Sequence, residues 1–201
     1  MRFKLLILSL LCLVFGRACG QNLDVRILES INGPKNGADG TWHFVSNQAL
    51  YTEIAVPVTM LAVGLASHDD KLKTDAYVTA SALLVTEGES YFLKKLVKRN
   101  RPFVDYPNLI VGKSKESDYS FPSGHASQAF ALATSLSISF PKWYVIAPSY
   151  LYAGTVSYSR LYLGVHYPSD VLAGAIIGAG TSYLSFKVQK WLSKKRRPPQ
   201  E

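Results

Sequence analysis

Large apolar residues recur along this chain in stretches of helix length, and the alternating pattern of a half-buried strand is not evident. The first stretch covers roughly residues 44–66 and ends in Ile54-Ala55-Val56-Pro57-Val58-Thr59-Met60-Leu61-Ala62-Val63-Gly64-Leu65-Ala66, where Pro57 is expected to impose a kink. A second runs from about Leu72 to Asn100 and stops before Pro102, because the residue preceding a proline avoids the helical region. A third should start at Ser123 and reach about Phe140, and a fourth spans about Trp143 to Leu163. The fifth, opened by Pro168 in its first turn, reaches Trp191. Residues 21–43, rich in Gly, Asn and Asp, form an irregular or partly helical lead-in. Residues 103–121 form a long loop with Pro107, Gly112 and several charges, of a length that compact domains keep for function or leave disordered. No internal repeat or low-complexity tract stands out. The pattern predicts an all-α chain, a bundle of about five to six helices.

The N-terminal segment reads differently. Leu5 to Phe15 is a short apolar run behind Arg2 and Lys4, too short for a hydrocarbon core of roughly 30 Å but suited to a signal peptide. Ala18-Cys19-Gly20 offers a small-residue cleavage site before Gln21; an uncleaved anchor and a lipidated Cys19 are the other readings. The expected division is therefore a signal peptide over 1–20, a helical domain over 21–192 and a basic tail over 193–201. Cleavage would remove Cys12 and Cys19, leaving neither a disulfide nor thiolate metal ligation.

Composition and charge narrow the partners. The whole chain of 201 residues carries a formal charge of +8, and loss of Arg2, Lys4 and Arg17 would lower it by three. An exported chain rarely meets nucleic acid, so the expected partner is an anionic lipid or membrane surface, not nucleic acid. Mean hydropathy is only +0.08, low for a chain of spanning helices, and Glu53, Glu87 and Glu89 interrupt the apolar runs. Charge placement still favours embedding. If helices alternate in direction, Lys71, Lys73, Lys142 and Lys194-Lys195-Arg196-Arg197 collect at one end, which the positive-inside rule assigns to the cytoplasm. The expectation is a bacterial inner-membrane bundle whose chemistry faces the periplasm, with a soluble periplasmic bundle as the alternative.

The chemistry lies at the other end, in three blocks. Lys94 and Arg101 stand two helical turns apart, nearly on one face, although a helix C-terminus attracts cations anyway. Pro122-Ser123-Gly124-His125 reads as a helix start with Ser123 at the N-cap. Free backbone N–H groups there suit an anion, and Gly124 lets it approach. Simple capping and a buried histidine would explain the same residues. Ser159-Arg160 is followed by His166 and Asp170, which flank Pro168. A carboxylate at Asp170 suits a helix N-terminus on its own account, yet it could also fix the tautomer of His166. Each block has an ordinary explanation. Together they supply three long cations, two histidines and a carboxylate, the kit for gripping a phosphoryl group and attacking it with imidazole.

In this order the blocks resemble the type-2 phosphatidic acid phosphatase superfamily, which shares its core with the vanadium haloperoxidases. The resemblance covers about residues 94–170 through Lys94, Arg101, Pro102, Pro122, Ser123, Gly124, His125, Ser159, Arg160, His166 and Asp170. It implies that His166 is the nucleophile, with Asp170 as its orienter, and that His125 protonates the leaving oxygen. Lys94, Arg101, Arg160 and the backbone at Ser123 and Gly124 would hold the phosphoryl oxygens, and Ser159 would orient Arg160. The cations would replace a metal, so no metal or other cofactor is expected. The implied activity is hydrolysis of a lipid phosphate monoester or pyrophosphate through a phosphohistidine. Lipid A, undecaprenyl pyrophosphate, phosphatidylglycerol phosphate and phosphatidic acid are candidate substrates. A soluble non-specific acid phosphatase and a lipid-phosphate binding module are the competing readings. The loop 103–121 is expected to gate substrate choice through Tyr106, Leu109, Ile110, Val111 and Tyr119. Glu87, on the face of Lys94, is expected to make a structural contact or to orient that lysine.

Overall fold

The computed structural model describes residues 23–195. The leader with its Ala18-Cys19-Gly20 site and most of the basic tail lie outside the described residues. A short helix over 23–31, here α1, opens the described chain. It is followed by α2 (Asp39–Ala66), α3 (Asp70–Val97), α4 (Pro102–Asp105), α5 (Gly124–Ser139), α6 (Trp143–Tyr162) and α7 (Pro168–Lys195). The chain is all-α among the described residues. The first long helix begins at Asp39, earlier than the apolar pattern indicated, because Trp42 packs against Tyr158 and Tyr162 and carries the helix into the lead-in. It continues through Pro57. The second ends at Val97, where Lys98 takes a left-handed conformation and its N–H bonds the carbonyl of Lys94, a C-cap of the αL kind.

The packing explains the low hydropathy. The interior is built from small residues: Ala49, Ala129, Ala133 and Ala153 form one buried cluster with Val156, and Ser127, Ser135 and Ser182 are fully buried beside them. Large apolar residues point outward, among them Leu84, Leu151, Phe92, Leu96, Leu172 and Ile176, each more than three-fifths exposed. Such an arrangement is wrong for water and right for lipid, where helices associate through close backbone approach and interhelical hydrogen bonds. Helices α2 and α7 are long and apolar enough to cross a membrane.

Two glycines set the tightest contact. A Cβ on Gly178 would lie 1.9 Å from the carbonyl oxygen of Ser127, and one on Gly174 would lie 2.6 Å from that of Ser123. Their absence lets α7 lie against the first turns of α5. Ser135 and Ser182 are hydrogen bonded further down the same seam at 2.8 Å.

The two ends of the bundle differ. At one end Lys71 reaches the carbonyl of Ser139, and the start of α6 presents the exposed pair Trp143 and Tyr144. The other end is covered by α1 and the long loop. Leu28 and Val25 pack with Ile110 and Tyr167, while Asn32 bonds both Tyr162 and Val111 through its amide and accepts from the N–H of Val111. The loop is therefore fastened to the bundle, and much of its apolar content faces α1.

Candidate active site

All three sequence blocks meet under this cover. Lys94 projects from the last turn of α3, Arg101 caps α4, Gly124 and His125 open α5, Arg160 ends α6, and His166 stands between α6 and α7. These residues line one end of a cavity of about 1030 Å³. Arg101 is almost wholly buried and places Nη1 3.3 Å from Nε2 of His166 and 2.9 Å from the carbonyl of Val165. Arg160 is equally buried; its Nη1 donates to the hydroxyl of Ser46, and its Nε has no partner. Ser159 does not orient this guanidinium, since its hydroxyl donates to the carbonyl of Val156. Ser46, from α2, takes that part.

Ser123 is fully buried as the N-cap of α5, its Oγ accepting from the N–H of Ala126. Its own N–H donates to the carbonyl of Asp170 at 3.1 Å, which ties the start of α5 to the start of α7. Asp170 lies behind His166, with Oδ2 3.6 Å from Nδ1 of the imidazole. That separation is beyond a hydrogen bond, and Nδ1 has no partner. The carboxylate is held instead by Arg99 at 2.6 Å and by the N–H of Tyr167 at 2.9 Å. Arg99 also bonds Asp24 of α1 and lies over the ring of Tyr167.

The loop contributes two carboxylates that the sequence pattern did not single out. Glu116 bonds Arg160 and approaches Arg101 at 3.4 Å. Asp118 bonds Arg101 and meets Lys94 at 2.9 Å, and the Asp118 carbonyl accepts from Nε of Arg101. Each cation of the cluster is thus satisfied by an oxygen anion of the chain itself. Burial alone would raise both carboxyls, but the surrounding cations outweigh it. Asp118 is held at about 2 by hydrogen bonds from Lys94 and Arg101, and Glu116 below the usual range by Arg160 and Arg101. His166 is pushed in the same direction by burial first and then by Arg160, Arg101 and Lys94, far below the ordinary imidazole value. It is neutral at neutral pH, with a lone pair available.

Glu87 makes no bond to Lys94. It accepts from the side-chain amide of Gln128 at 2.9 Å, further into the bundle. The loop residues Tyr106 and Ile110 pack toward α1 and Tyr167, so the part of the loop that reaches the cavity is the acidic stretch, not the apolar one. Charge complementarity was the available signal: Glu116 and Asp118 lie a few residues before the Pro122-Ser123-Gly124-His125 block. Arg99 carried no such signal, being one of four cations at a helix end.

Residues 76–194 match the model of the PAP2 superfamily. The chain belongs to that superfamily. It is 40% identical over 119 residues to lipid A 4'-phosphatase of Bacteroides thetaiotaomicron, covering 55% of this chain and 52% of that protein. It is 38% identical over 108 residues to undecaprenyl-diphosphatase of Sulfolobus acidocaldarius, covering 54% and 50%. The chain thus spans about half the length of these curated relatives. The fold is that of a solved transmembrane PAP2-type phosphatidylglycerolphosphate phosphatase from Bacillus subtilis, with a TM-score of 0.70 over 98% of this chain and 96% of that one, at 22% identity.

Proposed function

We propose that this PAP2 protein is a metal-independent phosphatase of a bacterial inner membrane, acting on a lipid phosphate monoester or pyrophosphate at the periplasmic face. The observation that carries the reading is that Lys94, Arg101 and Arg160 line one end of a cavity together with a neutral His166, whose Nε2 lies 3.3 Å from Arg101, and that this cavity continues between apolar helix faces. The cavity wall below the cations includes Leu50, Ile54, Val58, Leu61, Leu83 and Leu84, which suits a hydrocarbon tail. Two relatives act, by name, on lipid A and undecaprenyl diphosphate.

In the mechanism, Nε2 of His166 attacks phosphorus in line as the bond to the leaving oxygen breaks. His125 gives that oxygen its proton, and the phosphoryl dianion supplies the charge that favours a protonated His125. Water then attacks the phosphohistidine, passes a proton to His125, and inorganic phosphate leaves with the imidazole restored. Lys94, Arg101 and Arg160 neutralise the three equatorial oxygens, where charge is greatest in the transition state. The unpaired Nε of Arg160 is a donor already placed for one of them. Asp170 steadies His166 from behind.

Charge supports this orientation. Lys71, Lys73, Lys142, Lys194 and Lys195 gather at the end opposite the site, which supports a cytoplasmic position for that end and an outward-facing site. The deciding experiment is phosphate release from purified lipid phosphates in detergent micelles, with His166→Ala as blank. Release by wild type alone is expected; equal release by the variant would overturn the mechanism.

A further inference from the structure

Helices α3 and α7 each run for 28 residues, whereas α5, which packs against both, has only 16. Close contacts of Gly174 with Ser123 and of Gly178 with Ser127, followed by the Ser135–Ser182 hydrogen bond, set α5 and α7 side by side in the same direction. One turn past Ser135, α5 stops at Ser139. The last turns of α7 and the first turns of α3 therefore continue beyond it, and a cleft of about 570 Å³ lies between them at the end opposite the active site. Ile138 of α5, with Tyr183 and Phe186 of α7, gives this cleft its apolar lining. Lys71, Lys187 and Lys190 give it positive charge.

The acids of the cleft are already paired within α3, Asp75 with Lys71 at 2.6 Å and Asp70 with Lys73 at 2.6 Å. Lys187 and Lys190 have no carboxylate partner among the described residues, and Lys187 has only the Tyr183 ring, 6.0 Å from its Nζ. Both are exposed. Two open ammonium groups beside an apolar gap match an anion that carries hydrocarbon. Lys190 lies 20 residues beyond Asp170 on α7, about 30 Å along the axis, which is one hydrocarbon thickness. A headgroup at this cleft therefore sits in the other leaflet from a phosphate at His166. We infer that the cleft binds an anionic phospholipid of the leaflet opposite the active site. Its phosphodiester meets Lys187 and Lys190, and the first carbons of its chains lie against Ile138, Tyr183 and Phe186. Basic pockets between membrane helices take such headgroups. A zwitterionic phospholipid brings an ammonium of its own into the same space and gains less from the two lysines.

The test is the thermal midpoint of the full chain in dodecyl maltoside micelles doped with dioleoylphosphatidylglycerol or with dioleoylphosphatidylcholine. The anionic lipid should raise the midpoint of wild type above its value in the zwitterionic one by about 3–6 °C. The difference is taken within each protein, so a variant's own loss of stability cancels. Lys187→Gln with Lys190→Gln should remove most of the difference. Lys142→Gln with Lys195→Gln takes the same charge from the same end outside the cleft and should retain it. Thr74→Trp keeps every lysine but fills the cleft, and should lose it. Lys94→Gln, which weakens the phosphoryl site, should retain it. No difference between the lipids in wild type would overturn the inference, as would one that survives both cleft variants. A loss as large in the Lys142 and Lys195 control would reduce the effect to diffuse attraction, and a loss in Lys94→Gln would place the lipid at the phosphoryl site; either result overturns the cleft.

Discussion

Asp170 stands 3.6 Å from Nδ1 of His166, and its carboxylate is anchored by Arg99 and the N–H of Tyr167. The carboxylate packed behind the imidazole is thus fixed by a side chain, Arg99, that lies outside the recognised motif, and on the proposed mechanism this fixes the wall against which His166 rests. Arg99→Leu would strand a buried carboxylate, which typically costs about 3–5 kcal/mol. The expected result is a lower thermal midpoint and a kcat reduced more than tenfold, roughly, with KM for a small soluble ester little changed. Arg99→Lys should recover part of both. A kcat unaffected by Arg99→Leu would remove Arg99 from the positioning of His166.

Glu116 competes with any entering phosphoryl group for Arg160 and Arg101. Glu116→Gln keeps the shape and removes the charge, so inorganic phosphate and vanadate should inhibit it at concentrations about three- to tenfold lower than wild type. Vanadate, which can adopt the five-coordinate geometry of transfer, should bind more tightly than phosphate in both proteins. Arg160→Ala should abolish most of that difference. Inhibition constants for the two anions across the three proteins check the set.

Burial and three cations hold the His166 pKa well below its ordinary value. The unfolded chain therefore takes up a proton near pH 6.5 that the folded chain refuses, and stability falls as pH drops below about 6.5, by at most about 1.4 kcal/mol per pH unit from this group. Asp118 and Glu116, whose folded values are lowered, add their own loss only below the ordinary carboxylate range. Melting in detergent between pH 7.5 and 5 should thus show a decline that His166→Gln makes shallower. An identical slope in the variant would contradict a neutral resting imidazole.

Gly178→Ala would drive a methyl group into the Ser127 carbonyl, whereas Gly180 has nothing within 4 Å of a Cβ. The first change should separate α7 from the start of α5 and disturb the Ser123-Gly124-His125 turn, with a loss of activity of at least about tenfold or of folded yield. Gly180→Ala should behave as wild type. Size-exclusion profiles and phosphate release for the pair distinguish a seam defect from a general intolerance of α7.

Activity should survive EDTA. The charge on the equatorial oxygens is met by Lys94, Arg101 and Arg160, and no group of His, Cys, Asp or Glu able to hold a metal ion occurs among the described residues. Loss on chelation, restored by Mg²⁺ or Mn²⁺, would contradict the proposed mechanism.

The helices were legible because each is a long apolar run closed by a proline or polar break: Pro102 follows α3, Ser123 caps α5, and Pro168 opens α7. The three blocks were legible because phosphate chemistry leaves few substitutes for their residue types. What escaped was tertiary. Ser46 has an ordinary place in an apolar helix until α2 lies beside Arg160. The start of α2 at Asp39 depends on aromatic contacts with α6. Glu87 shares a face with Lys94 in projection, but Gln128 comes from another helix to claim it. The loop 103–121 carries both hydrophobic and acidic residues, and only the position of α1 decides which of them face the cavity.

The carboxylates of Glu116 and Asp118 give the cation cluster its own pair of anionic partners. Three positive side chains facing two negative ones leave a single net charge, so the resting pocket is close to electrically balanced. A membrane surface is crowded with phosphodiesters, each bearing one negative charge. Exchanging two resident anions for one such headgroup would leave two of the three cations uncompensated, one more than before. A terminal phosphate brings two charges and three free oxygens, and the exchange is then even. On the proposed function, the loop would turn a cluster of cations that could hold any anion into a valence filter, passed by a lipid whose phosphate is unsubstituted at the end.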